Sequence, residues 1–301
     1  MLFGYPCKAR AKRRQRLSRR LARPPLAFSF LPQPPMNAPS RPPLSAVLIT
    51  RDAAAMLPQT LASVSFCDEI IVVDSGSNDD SVAVARRCGA QVISSHWRGF
   101  GAQKQFAVDQ ASHDWVLCID ADERVSPELA AAIEAALVRP RFAAWRCARR
   151  NRFMGRYLGH GEGYPDWCVR LFDRRCARWS SDAVHERVLC PTRAGDLDGD
   201  LLHDSAASLE DYLARQNRYS SLAAAAAREA GKSSSAAQML LSPLLRFVKF
   251  YLLRAGFRDG VAGLTHILIG CGASFAKHAK MLAAQDAERR SMDEARNNAH
   301  K

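Results

Sequence analysis

From residue 44 onward, short apolar runs alternate with segments of helical spacing, and this alternation predicts a repeated strand–helix succession. Leu44–Thr50 (LSAVLIT), Glu69–Asp74 (EIIVVD), Gln91–Ser95 and Trp115–Asp120 (WVLCID) are near-continuous apolar runs rich in β-branched residues, as expected of strands buried on both faces. Between them Leu57–Val64, Asp79–Cys88 and Phe100–Ala111 carry helical spacing. Asp79 and Asp80 suit the positive end of the second helix, and Gly89 closes it. Ser126-Pro127 then opens an Ala-rich helix to Leu137, proline being favoured at the first helical position. Such alternation implies a mostly parallel sheet with helices on both faces.

Past residue 140 the pattern changes. Phe142–Arg149 and Cys168–Phe172 read as strands around a Gly/aromatic loop, Gly155–Tyr164. A helical tract begins near Ser208 and runs through Ala223–Ala227, and residues 240–283 form an apolar segment studded with basic residues. No internal repeat is visible. The expected organisation is a tail over 1–43, an α/β domain over 44–235 and a helical region over 236–301.

Charge alters this picture only at the N-terminus. The 301 residues carry a net charge of +13, yet Lys8–Arg23 alone hold nine Lys/Arg and no acid, leaving a mild excess elsewhere. The fold itself is therefore not expected to bind nucleic acid. Three proline clusters follow, so residues 1–43 read as disordered, with Met36 an alternative start. Nine cysteines lack metal-like spacing and read as reduced thiols, with Cys67, Cys88, Cys118 and Cys147 as core fillers. Trp97, Trp145 and Trp179 read as core, and His203 as without a functional role.

The candidate chemistry stands at the strand ends. In open α/β sheets ligands bind beyond the carboxyl ends of the strands. Here those ends carry Thr50-Arg51-Asp52, Asp74-Ser75-Gly76-Ser77 and Asp120-Ala121-Asp122-Glu123. Clustered carboxylates are costly unless paired or bound to a cation, and Asp120/Asp122 can reach one hard ion, Mg²⁺ or Mn²⁺. No GxGxxG or GxxxxGK[ST] occurs, so phosphates would be met by metal and side chains, with Lys104 and Arg98 as candidates.

VLITRD (47–52), DEIIVVDSGSNDDSVAVARRCGA (68–90), WRGFGAQKQFAV (97–108) and DWVLCIDADERVSPEL (114–129) together resemble the family 2 glycosyltransferases. RLF (170–172) and VHERV (184–188) resemble the lipopolysaccharide inner-core β-glucosyltransferases in particular. The fold implied is GT-A, the nucleotide-diphospho-sugar transferase type: a mostly parallel α/β sheet flanked by helices, with a helical C-terminal region. The resemblance implies that Asp74 grips the donor's uracil, with Thr50 and Asp52 lining the base pocket. It places Asp120 at the ribose or metal shell, and Asp122 on the metal at the diphosphate. Lys104 would contact phosphate or acceptor. An inverting transfer needs one general base. Asp166 is the first choice, ahead of Glu162 and Glu186, while His185 and Glu186 would alternatively complete the metal shell or orient the acceptor. The sequence departs from the family at Asp52-Ala53 and Lys104-Gln105.

The activity implied is metal-dependent transfer of glucose from UDP-glucose to a lipid-linked glycan, the lipopolysaccharide core. Leu240–Phe257 mixes Leu, Phe and Tyr with Arg246, Lys249 and Arg254, a composition suited to a helix lying in a membrane interface. Val261–Phe275 is too short an apolar stretch to span a bilayer. The expected place is the cytoplasm, peripherally on the inner membrane. The rivals are a polyprenyl-phosphate glycosyltransferase of the same fold, a nucleotidyltransferase, and a membrane- or nucleic-acid-binding protein with a decayed donor site.

Overall fold

The computed structural model describes residues 41–181, 186–204 and 208–299, all within one compact unit, Ser40–Lys301. The tail up to residue 40 lies outside the described residues. Strands β1 (Leu44–Thr50), β2 (Glu69–Asp74), β3 (Gln91–Ser94) and β4 (Trp115–Asp120) pair in parallel in the order β3-β2-β1-β4. Helices α1 (Leu57–Ser63), α2 (Ser81–Arg87) and α3 (Phe100–Asp109) make the crossovers. Side-chain alternation splits β1 between two cores. Leu44, Ala46 and Leu48 pack with Leu57, Leu61 and Ile133 on one face, while Val47 packs with Ile71, Ala107 and Val108 on the other. This is the doubly covered sheet that the apolar runs predict.

A short strand, β5 (Glu123–Val125), leads into α4 (Pro127–Val138), whose N-cap Ser126 Oγ accepts a hydrogen bond from Leu129 N at 3.2 Å. The chain then builds the second half of the sheet from β6 (Ala144–Phe153), β7 (Arg156–Tyr157) and β8 (Asp166–Asp173). Strand β8 sits antiparallel between β4 and β6. The ribbon of β9 (Arg178–Trp179) and β10 (Val188–Leu189) forms a separate pair.

Strand β11 (Gly195–His203) was not expected. Its sequence, GDLDGDLLH, carries two glycines and three aspartates, which locally read as loop. Tertiary pairing decides otherwise: β11 runs parallel to β6 and antiparallel to β5, placing His203 opposite Glu123. Gly199, at φ +89°, lies so close to α4 that a Cβ there would stand 2.3 Å from Leu129 N.

Helices α5 (Leu209–Glu229), α6 (Ala236–Phe247) and α7 (Gly260–Ala299) complete the chain. Ser208 caps α5, and Ser235 with Gln238 forms a capping box on α6. Helix α6 continues as a π-helical turn, Val248–Leu253, and a 3₁₀ turn, Gly256–Asp259, before α7 returns against α5 and α6. Two core expectations are corrected. Cys88 is exposed at the C-cap of α2, and Trp97 is 45% exposed, whereas Trp145, Trp179, Cys118 and Cys147 are buried.

Candidate active site

A cleft of ≈ 880 Å³ opens along the carboxyl edge of β1 and β4 and extends to α5 and α7. Thr50, Asp52, Lys104, Asp120, Asp122 and Glu186 all border it, so six of the residues picked from the sequence come together. Asp74 does not. It is 3% exposed, and its Oδ2 accepts from the backbone of Gly76 and Ser77 at 3.0 and 3.1 Å while Oδ1 accepts from the Ser77 hydroxyl. Its carboxylate closes the turn after β2, and the acid from that loop that borders the cleft is Asp79. Thr50 Oγ1 is buried at the cleft with no hydrogen-bond partner among the described residues.

Asp120 is held from two sides. Lys104 Nζ lies 2.9 Å from Oδ1 and Arg170 Nη2 3.0 Å from Oδ2. Burial raises the Asp120 pKa, but Arg170 and Lys104 outweigh it and keep the carboxyl well below the ordinary range. Lys104 also reaches Glu186 Oε1 at 3.1 Å, so one ammonium joins two cleft carboxylates. Beneath them lies Glu123, fully buried. It accepts from Arg170 at 2.6 Å, Arg149 at 3.3 Å and the Asp120 backbone at 3.0 Å. Each buried charge is thus paired, as a low-dielectric interior requires.

Asp122 has a different partner. Its Oδ2 stands 3.3 Å from His203 Nε2. His203 Nδ1 is 2.6 Å from Asn151 Oδ1, and Asn151 Nδ2 donates to Gly163 O at 3.2 Å. That amide oxygen only accepts, so Nδ1 donates to it, which orients the ring and leaves Nε2 facing Asp122. Among the described residues no group of three or more His, Cys, Asp or Glu forms a metal-like cluster. A carboxylate and an imidazole still fit a Mg²⁺ or Mn²⁺ whose remaining positions are taken by substrate phosphate oxygens and water. His203 escaped sequence reading because its strand did. His185 lies outside the described residues.

The other candidates lie apart. Asp166 does not border the cleft: its Oδ2 accepts from Arg149 Nε and Nη2 at 3.0 and 2.6 Å, opposite it on β6. Glu162 is paired with Arg246 of α6, tying that helix to the sheet domain. Arg98 lies over the Phe106 ring, 4.3 Å from its centroid, and Gln105 Oε1 accepts from Trp179 N at 2.8 Å.

The fold is the GT-A-type α/β fold: parallel strands presenting acidic residues at their carboxyl ends, extended by a mixed half-sheet and C-terminal helices. The model of the glycosyl transferase family 2 matches residues 45–185. The lipopolysaccharide core biosynthesis glycosyltransferase LpsC of Rhizobium meliloti is 30% identical over 253 residues, 79% of this chain and 92% of that protein. An uncharacterized glycosyltransferase of Rickettsia felis is 32% identical over 256 residues, 79% of this chain and 89% of its own. The chain belongs to the family 2 glycosyltransferases. Among solved structures, glucosyl-3-phosphoglycerate synthase from Mycobacterium tuberculosis, in complex with Mn²⁺ and UDP, is 26% identical. That match covers 37% of this chain and 44% of the synthase, with a TM-score of 0.32.

Proposed function

We propose that this enzyme transfers a hexose, glucose from UDP-glucose, to a lipid-linked glycan of the lipopolysaccharide core, with inversion at the sugar carbon. Family membership and the relative named for lipopolysaccharide core biosynthesis support the reaction class and the acceptor. The observation that carries the donor site is the Asp122–His203 pair at 3.3 Å, beside Asp120 at the mouth of β4. Asp122 and His203 would hold Mg²⁺ or Mn²⁺, which when bound would supply charge neutralisation for the departing diphosphate. Thr50, Asp52 and Asp79 receive the base and ribose at the end of β1, where the unpartnered Thr50 hydroxyl gains a partner.

In the transfer, an acceptor hydroxyl oxygen forms the new bond to the donor's anomeric carbon while the bond from that carbon to the diphosphate oxygen breaks. The proton passes to a carboxylate and UDP leaves. Glu186 is the base candidate that borders the cleft, and Lys104, 3.1 Å from its Oε1, orients the carboxylate. Asp166, shared between two nitrogens of Arg149, organises the strand pair below.

The enzyme works peripherally on the cytoplasmic face of the inner membrane. Ala236–Leu253 and Gly256–Glu294 are long and apolar enough to cross a membrane by length and composition. Arg246 and Lys249 stand inside the first, and Arg246 is anchored to Glu162 of the sheet domain, which favours a helix lying flat.

Thermal unfolding of the protein with UDP-glucose and other nucleotide sugars, with and without Mn²⁺, tests the donor site. A ligand at one hundred times its Kd stabilises by about 2.7 kcal/mol. We expect a Mn²⁺-dependent rise in Tm with a UDP-sugar, abolished by Asp122→Ala and strongly weakened by His203→Ala. No shift with any nucleotide in the folded protein would overturn the reading. A shift unaffected by metal and by both substitutions would remove the metal from it.

A further inference from the structure

The cleft is longer than a nucleotide sugar's end of it requires. Past Asp122 it is closed by a wall that the family match at 45–185 does not include: one face of α5 and the first turns of α7. Tyr212, Gln216 and Tyr219 recur on α5 at helical spacing and border the cleft with His266 of α7. The wall is braced from behind. Phe153 of β6 meets Tyr212 edge-on at 5.0 Å and His266 at 5.2 Å, and Leu158 and Ala262 complete that small core. A rigid aromatic backing holds binding groups in fixed positions.

The chemistry of this wall suits a sugar more than a nucleotide. Gln216 offers both a donor and an acceptor. Burial, reinforced by Arg246, pushes His266 down to about 4, with Asp259 opposing. Its imidazole is therefore neutral, and its Nδ1 is buried with no hydrogen-bond partner among the described residues. Tyr219 is 50% exposed, and Trp97 and Phe100, in edge contact at 4.8 Å, border the same cleft with about half their surface open. Open aromatic surface together with hydrogen-bonding groups in one cleft matches the apolar faces and hydroxyl edges of a pyranose ring. Arg152 and Arg215 border the same wall and would meet acidic substituents on the glycan.

Resting on the glycosyl-transfer reading above, we infer that Tyr212, Gln216 and Tyr219 of α5, with His266 of α7, form the acceptor subsite and take a sugar ring of the core glycan. The C-terminal helices then select the acceptor, while the strand ends hold the donor.

Steady-state kinetics of the full chain, with UDP-glucose and de-O-acylated core oligosaccharide as acceptor, test this. Tyr219→Ala and Gln216→Ala are expected to raise the acceptor KM at least tenfold and to leave the donor KM within twofold. Tyr219→Phe, which keeps the ring, should restore most of the loss. An unchanged acceptor KM, or a donor KM rising in parallel, would overturn the assignment. If the unmodified chain binds UDP-sugar but does not transfer to the oligosaccharide, the acceptor subsite fails and the donor site stands. If it binds no UDP-sugar, the glycosyl-transfer reading itself fails.

Discussion

Asp120, Asp122 and Glu123 lie within four positions of one another, yet each meets a different environment. Asp120 is neutralised by Lys104 and Arg170, Asp122 faces the Nε2 of His203, and Glu123 is sealed beneath both. Only Asp122 lacks a permanent cation among these contacts, which makes it the candidate metal ligand of the three. Glu123 has the opposite task. With Arg170 and Arg149 gathered on it, truncation would leave guanidinium charge buried without its counter-ion. Breaking such a pair costs about 3–5 kcal/mol. Glu123→Ala is therefore expected to lower stability by about that amount in chemical denaturation, whereas Asp122→Ala, at a third-exposed side chain, should leave the midpoint nearly unchanged. The acidic character of this segment is legible in the sequence. Its division of labour is not, because Arg149, Arg170 and His203 arrive from three distant strands.

The elements differ in how much of their identity is local. Strands β1, β2 and β4 were predictable to the residue, since a buried parallel strand must be apolar along its whole length. Helix α4 announces itself through Ser126-Pro127 and needs no distant partner to start. Strand β11 is the reverse case: its glycines and aspartates disfavour strand, and it forms because β6 and β5 supply ladders on both sides. Its Gly199 is required by the close passage over the N-terminus of α4. Gly199→Ala should destabilise by about 1–3 kcal/mol, from overpacking and from strain at positive φ, read as a lower urea midpoint. Because β11 carries His203, the same variant should also weaken the Mn²⁺-dependent thermal shift.

For the whole molecule, the most conspicuous feature is apolar surface left open on α6, the turns that follow it and the approach to α7. Leu240, Leu244, Leu245, Leu252, Leu253 and Phe257 are each more than half exposed, with Lys249, Arg254 and Arg258 among them. A soluble monomer rarely leaves so large a patch bare. Anionic lipid meets both requirements, apolar depth and positive rim, and it would bring a lipid-linked acceptor to the α5–α7 wall. Leu244→Glu combined with Leu253→Glu is expected to reduce cosedimentation with phosphatidylglycerol-containing vesicles at least tenfold while the UDP-sugar thermal shift persists. Equal sedimentation of the two proteins would remove the membrane from this account.

The amino-acid sequence alone determined the parallel half of the sheet, the acidic strand ends and the family, because these rest on local rules: apolar runs, caps, and short motifs placed where strands end. It also marked the basic, apolar C-terminal stretch. Only the tertiary structure decided that Trp97 stands open on the cleft, that Asp166 pairs with Arg149, and that His203 meets Asp122. Those outcomes depend on which strands become neighbours, and β6, β8 and β11 are joined by register and burial across the sheet. No local window of sequence contains that information, since Asp166 meets Arg149 17 positions away and His203 meets Asn151 52 positions away.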